Sequence, residues 1–314
     1  MPLLRRLAFA PIVLLVVAAV TYGTPRILRP DLFQGEAFIP GLARQLERVF
    51  LHLDFGCAGI LPGCPSIHDL WVSGLVWDLW LLAGALVIGV PAGILAGIWC
   101  ARRPRSLAAR AVEAAAMTAY CAPVFFVGLF LLWLFNPIYG RVPLSAFFDA
   151  EPHWIVPWDS PWDWFRMLLV PWLVLAAPLA AMCLRLTLSE TREAMDEDFV
   201  RTASAKGIRP TAVVRRHAAP LSFPGTFSFV GVSAPLIVTN VVLVERVFSV
   251  PGFFKYTWRA AGHVNFGRDP IPDFPLLCAL GLWGAVLLIV LGLIADGVVS
   301  VIDPRVRTSS AQAW

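Results

Sequence analysis

Charge is what this chain has least of. Only 15% of its 314 residues are Asp, Glu, Lys or Arg, against about one quarter in ordinary soluble domains, while 58% are hydrophobic. A composition of that kind excludes an ordinary soluble domain and points to lipid. The chain also lacks a Gly-x-x-x-x-Gly-Lys-[Ser/Thr] loop, the main phosphate cradle of P-loop ATPases, so no ATPase site of its own is expected. Its five histidines, His52, His68, His153, His217 and His263, are scattered without metal-ligand spacing, and no metal is expected. Clustered His, Asp or Glu at an interface would suit an integral-membrane enzyme, but the polar residues do not converge. An ion-coupled secondary transporter needs charged groups near mid-membrane, and the apolar runs have almost none.

What is present is a set of long apolar runs. A membrane crossing needs roughly 20 predominantly apolar residues, and six runs qualify, at about 8–24, 75–99, 111–136, 167–188, 226–248 and 274–301. They predict an all-α integral membrane protein of six transmembrane helices. Lys and Arg near span ends set orientation. Placing both termini inside assigns Arg5, Arg6, the cluster Arg102–Arg110, the basic residues from Arg185 to Arg216, Arg305 and Arg307 to the cytoplasm, 15 of the 25 basic residues. The expected topology is therefore N-in and C-in. The start, Met1 to Arg6 followed by an apolar run, has the elements of a secretory signal, but no clear small-x-small site follows and a retained first span is expected.

The layout reads as a first span plus outer segment at 1–74, a five-span core at 75–303, and a tail at 304–314. The outer segment has a helix-compatible stretch at Gly41–Leu53. Asp78, near the outer end of the second span, is expected to reach water. Val90-Pro91-Ala92-Gly93-Ile94-Leu95-Ala96-Gly97 sets small residues on one helical face, as close helix packing requires, and Pro123 predicts a kink in the third span. Cys100, Cys121, Cys183 and Cys278 sit in or beside apolar runs and read as small hydrophobes. Cys57 and Cys64 fall in the outer segment, where thiols oxidise, and are candidates for a disulfide.

One polar island interrupts the lipid-like pattern. It runs from Thr191 to Arg209 and reads as a charged helix, a glycine turn at Gly207, and a second basic helix through Arg215, Arg216 and His217. Glu190, Glu193, Asp196, Glu197 and Asp198 come first, Arg201 and Lys206 last, an order that suits the helix macrodipole. Glycine closes a helix by adopting the left-handed conformation. The expected product is a short surface helix presenting Thr202, Ala203 and Ile208, ringed by Arg201, Lys206 and Arg209.

The island, Arg-Thr-Ala-Ser-Ala-Lys-Gly followed by Arg-Arg-His-Ala, resembles the cytoplasmic EAA loop of ABC importer permeases, in the form found in the dipeptide/oligopeptide/nickel permease family. Leu53-Asp54-Phe55-Gly56, Val244-Glu245-Arg246-Val247-Phe248-Ser249-Val250-Pro251-Gly252, Asp273-Phe274-Pro275 and Asp303-Pro304 are similar to further landmarks of that family. The resemblance implies a type I importer permease in a prokaryotic cytoplasmic membrane. Its coupling loop, about 189–222, would seat Asp198, Phe199, Arg201, Thr202, Ala203, Lys206, Gly207, Ile208 and Arg209 against an ATPase. It implies a second, homologous permease as heterodimer partner, two ATPase subunits that use the ATP, and an extracytoplasmic solute-binding protein. Membrane lipid is the remaining partner; no nucleic acid and no cofactor in this chain are implied. Dipeptides, oligopeptides or a nickel chelate are the implied solutes. Glu245 and Arg246 are candidates for an outer gate, and Asp296 for a pathway residue or a structural partner of Arg305. Departures from the family pattern are Pro220, Pro235, Thr239, Asn240 and Gly292. The secondary transporter and the membrane enzyme remain the rival classes.

The topology is directly testable. Reporter fusions after Arg105 and Arg209 should report cytoplasm, and fusions near Gly59 and Asp159 the outside; the inverse pattern overturns the orientation.

Overall fold

A computed structural model describes residues 2–28, 37–58, 64–135, 154–261 and 273–302. Among these residues the structure is helical, with a single isolated bridge between Cys57 and Ser66. The helices are α1 (Pro2–Leu28), α2 (Phe38–Leu51), α3 (Ile67–Ala101), α4 (Leu107–Cys121), α5 (Val124–Phe135), α6 (Pro161–Met195), α7 (Asp198–Ala205), α8 (Pro210–Val213), α9 (Phe223–Val232), α10 (Ala234–Phe248), α11 (Thr257–Ala260) and α12 (Phe274–Ile302).

Three of these, α3, α6 and α12, are long and apolar enough to cross a membrane, and α1 carries the shorter apolar stretch Ala8–Thr24. The third and fifth expected spans differ from the sequence reading, because each is broken. Run 111–136 becomes α4 and α5, bent by 102°. Proline disfavours the helical conformation of the residue before it, and Ala122, preceding Pro123, is extended at φ −72° and ψ 128°. What the sequence suggests as a kink is a full helix break. The fifth run divides at Ser233, with a 56° bend between the helical stretch Thr211–Val232 and α10. Pro235 has no N–H to give the Gly231 carbonyl and its ring crowds that carbonyl, so α10 starts afresh, with its proline in the first turn where it is tolerated.

The chain forms two compact units. The first comprises Met1–Leu79 and Ser249–Leu293. Within it α2 lies on α1: the Phe38 ring is 5.9 Å from Tyr22, and a side chain at Gly41 would collide with the Tyr22 hydroxyl. Ala18, Val49, Cys278 and Leu282 form a buried cluster there. Leu53-Asp54-Phe55-Gly56 is a tight turn in which Asp54 Oδ1 accepts the Gly56 N–H at 2.9 Å and Gly56 takes φ +82°.

Asp78 does not reach water as its sequence position suggests. It is 0% exposed, with Oδ1 accepting the Phe253 N–H at 2.8 Å and Oδ2 accepting the Trp283 indole N–H. Buried carboxylates persist only when donors replace their water. These two donors fasten α3 to α12 and to the segment following Pro251-Gly252. Gly74, one turn earlier on α3, lets the Phe253 backbone approach so closely that no Cβ would fit.

The second unit comprises Trp80–Phe248 and Ile294–Trp314. The small-residue face of α3 meets α6 as expected: a Cβ at Gly97 would lie 2.8 Å from the Leu184 carbonyl oxygen, and one at Gly93 would strike that of Ala180. Trp172 on α6 donates its indole N–H to the Trp80 carbonyl at 2.8 Å. α4 packs along α6 through Ala109, Leu184 and Leu188, with Cys100 of α3 in the same buried cluster, and Arg192 on α6 pairs with Glu113 on α4 at 2.9 Å.

Replacing Asp78 strands two buried donors, each worth about 1–3 kcal/mol. Asp78→Ala should lower the thermal unfolding midpoint of the purified protein clearly, with Asp78→Asn intermediate. An unchanged midpoint in both variants would show that the carboxylate fastens nothing.

Candidate functional site

The polar island folds differently at its two ends. α6 continues to Met195 and closes with the Asp196 N–H on the Glu193 carbonyl at 3.0 Å. Glu190 and Glu193 therefore occupy the C-terminal turns of α6, where carboxylates oppose the dipole. The favourable polarity expected for the whole island holds only for α7, which begins at Asp198 directly after Asp196 and Glu197.

α7 ends in a glycine turn. Gly207 has φ +78°, the Lys206 N–H bonds to the Thr202 carbonyl at 3.1 Å, and the Ile208 N–H reaches back to the Ala203 carbonyl at 3.4 Å. That backward bond across a left-handed glycine, with an apolar residue after it folding onto the helix, is the Schellman closure. Ile208 packs against the buried cluster Val200, Ala203 and Val213, with Met195 beside it.

This packing corrects the expected surface. Ala203 is only 8% exposed and Ile208 is half-buried, so neither is presented outward. Val200 and Ala203 lie three apart on one helical face, and Ile208 folds onto that face. The outward residues are Phe199, 41% exposed, together with Asp198, Thr202, Lys206, Gly207 and Arg209. Arg201 lies on the same helix. The sequence reading missed Val200 and Val213 as the anchors that orient the element; their signal was the apolar pattern shared by α7 and the stretch after Arg209.

The expected second basic helix is also altered. α8 is one turn, Pro210–Val213, followed by a wide π turn at Val214–Ala218 in which the Ala219 N–H bonds to the Val214 carbonyl, then a tight 3₁₀ turn, Ala219–Ser222. Pro220 is the cause: it lacks the N–H that regular α-helical bonding requires. Arg215 and Arg216 are exposed on the π turn.

The candidate gate residues separate. Glu245 is 0% exposed on α10, in line with Val241, Val244 and Phe248, whereas Arg246 is exposed. Asp296 is half-buried on α12; its suggested partner Arg305 lies outside the described residues, as do Asp303 and Pro304. Cys57 and Cys64 are joined as a disulfide, their Cα atoms 5.6 Å apart. The Ala58 N–H on the Pro65 carbonyl at 2.9 Å and the Ile67 N–H on the Gly56 carbonyl at 3.0 Å hold its stems together, and Arg259 donates to the Ala58 carbonyl at 3.0 Å.

Two adjoining grooves open beside α6, of about 270 and 250 Å³. They share Met117, Ala181, Arg185 and Ser189; one continues to Glu113 and Arg192, the other to Tyr120, Met182 and Phe229.

Residues 93–308, about two thirds of the chain, match the family described as binding-protein-dependent transport system inner membrane component. The chain belongs to that family. It is a multi-pass protein of the cytoplasmic membrane and the permease component of an importer. Curated relatives span nearly its whole length. A dipeptide transport system permease of Lactococcus lactis is 26% identical over 322 residues, 97% of this chain and 98% of the relative. A probable peptide ABC transporter permease of Sinorhizobium fredii is 27% identical over 85% of this chain and 82% of its own, and a dipeptide permease of Haemophilus influenzae 29% identical over 77% and 71%.

A short disulfide loop constrains the unfolded chain by about 2–3 kcal/mol in the entropy model. Mass spectrometry of non-reduced peptides from native membranes should find Cys57 linked to Cys64. Two freely alkylated thiols would contradict the pairing.

Proposed function

We propose that this chain is the permease subunit of an ATP-driven peptide importer, carrying di- or oligopeptides inward by alternating access. The peptide and dipeptide permeases among its relatives favour peptides over a nickel chelate. In this reading the chain crosses the membrane six times with both termini inside, the bent pairs α4–α5 and α9–α10 each serving as one crossing. It pairs with a second, homologous permease. An extracytoplasmic binding protein delivers solute, and two ATPase subunits use the ATP, this chain holding no cofactor.

The observation that carries the reading is the closure of α7 at Gly207. A left-handed glycine and the Ile208-to-Ala203 bond pin the inner face, leaving Phe199, Thr202, Lys206 and Arg209 outward as one compact patch. An apolar ring with cations around it suits insertion into a groove on an ATPase. Because Val200, Ala203 and Val213 tie the patch to the rest of the coupling loop, displacement of the ATPase would be transmitted as movement of a rigid piece. The partner biases a two-state equilibrium, as coupling between separated sites requires.

No atom lies within 4 Å of the Cβ position at Gly207, so a substitution there acts through the backbone alone. A left-handed conformation costs a β-branched residue on the order of 1–2 kcal/mol, whereas Asn tolerates it. Gly207→Val should leave membrane abundance nearly intact, weaken co-purification of the ATPase subunits and abolish uptake of a labelled dipeptide; Gly207→Asn should retain most of both. Full uptake with full ATPase retention in Gly207→Val would mean that the loop is only a spacer.

A further inference from the structure

We propose that the double groove beside α6 is a peptide subsite in which Arg185 takes the solute's C-terminal carboxylate. This inference rests on the peptide reading above.

Arg185 lies near the inner end of the apolar run 167–188, on a helix of membrane-crossing length, with its side chain exposed in the groove. The charges of the groove do not balance. Arg185 and Arg192, seven residues apart on one face of α6, supply two guanidinium groups against the single carboxylate of Glu113. Glu113 is taken by Arg192 at 2.9 Å. Among the described residues Arg185 makes no ion pair, and its guanidinium rests on the Met117 sulfur at 3.9 Å. One anion is wanted, and a guanidinium binds a carboxylate through two parallel N–H donors.

The remaining lining defines what else the anion carries. Beyond Arg185 the groove is walled by Met117, Met182 and Phe229. Methionine is flexible and polarisable and accommodates varied apolar shapes, which fits a solute class whose side chains differ but whose terminal carboxylate does not. Tyr120 and Ser189 carry hydroxyl groups on the same walls, the Ser189 hydroxyl donating to the Leu186 carbonyl at 3.0 Å. The two lobes together have the size of a small-ligand pocket, which runs from about 300 Å³ upward. A lipid phosphate is the competing occupant, and the experiment below separates the two.

The test uses the complete transporter, both permeases with their ATPase subunits, in nanodiscs. The probe is the tripeptide Ala–photoleucine–Ala, whose diazirine labels adjacent side chains, as the free acid and as the C-terminal amide. The free acid should label α4 near Met117–Tyr120 or α6 near Met182–Ser189, exceeding the amide by roughly tenfold, as expected for loss of a charge-assisted hydrogen bond. Arg185→Gln should bring the ratio close to one, and Arg185→Lys should keep part of it. Equal labelling by acid and amide in the unmutated complex, or labelling confined to other helices, overturns the proposal even if the variants fail to assemble. Release of a tightly held anionic phospholipid by Arg185→Gln, with peptide labelling unaltered, also overturns it and assigns the groove to lipid. Uptake of the same tripeptide into proteoliposomes, with the binding protein added, separates the two readings. If uptake proceeds without groove labelling, only the subsite falls; if the unmutated complex moves no peptide, the importer reading falls with it.

Discussion

Backbone hydrogen bonding in a medium without water governs this structure. Hydrocarbon offers an N–H or C=O no partner, so a crossing segment must satisfy its own backbone, and helices result wherever residues can donate. Proline cannot donate, and where it falls decides where the helices end. Ala122 before Pro123 and Gly231 before Pro235 lose regular bonding, and the chain bends by 102° and 56° at the two breaks. Pro220 widens the turn at Val214–Ala218 and tightens the next. Yet α3 and α6 run through Pro91, Pro171 and Pro178 unbroken. There the flanking residues are packed: Gly89 and Gly93 against α6, and Leu168, Trp172, Leu175 and Leu179 in the core.

Close packing and satisfied polar groups then fix the helices within each unit. Lipid supplies no hydrophobic drive between helices, so small residues that permit backbone approach take its place; Gly93 and Gly97 do this for α3 and α6. Polar groups are few, and some of them fasten the packing. Asp78 holds Phe253 and Trp283, and Trp172 finds the Trp80 carbonyl. In a chain with so little charge, a buried carboxylate with two neutral donors is a strong local determinant of register.

The polar island from Thr191 to Arg209 follows a different logic, because its charged residues need water or a polar partner. α7 has only eight residues, too short to persist as an isolated helix. It is held by three buried side chains and by the glycine closure, so its outward patch keeps one shape.

The amino-acid sequence by itself determined the class and much of the layout. Apolar run length locates α1, α3, α6 and α12, Gly207 marks the end of α7, and the island's Arg-Thr-Ala-Ser-Ala-Lys-Gly with its downstream landmarks resembles the family to which the chain belongs. Periodicity and composition carry such features because they depend on local chemistry. Tertiary structure alone decided which prolines break a helix, since the residue is the same at 91 and 123 and the helix continues through only the first. It decided that Asp78 is buried, because its donors come from residues 175 and 205 positions away. It also turned Ala203 and Ile208 inward, since the small apolar character that suggests a contact surface suits a core equally well, and only the position of Val213 settles between them.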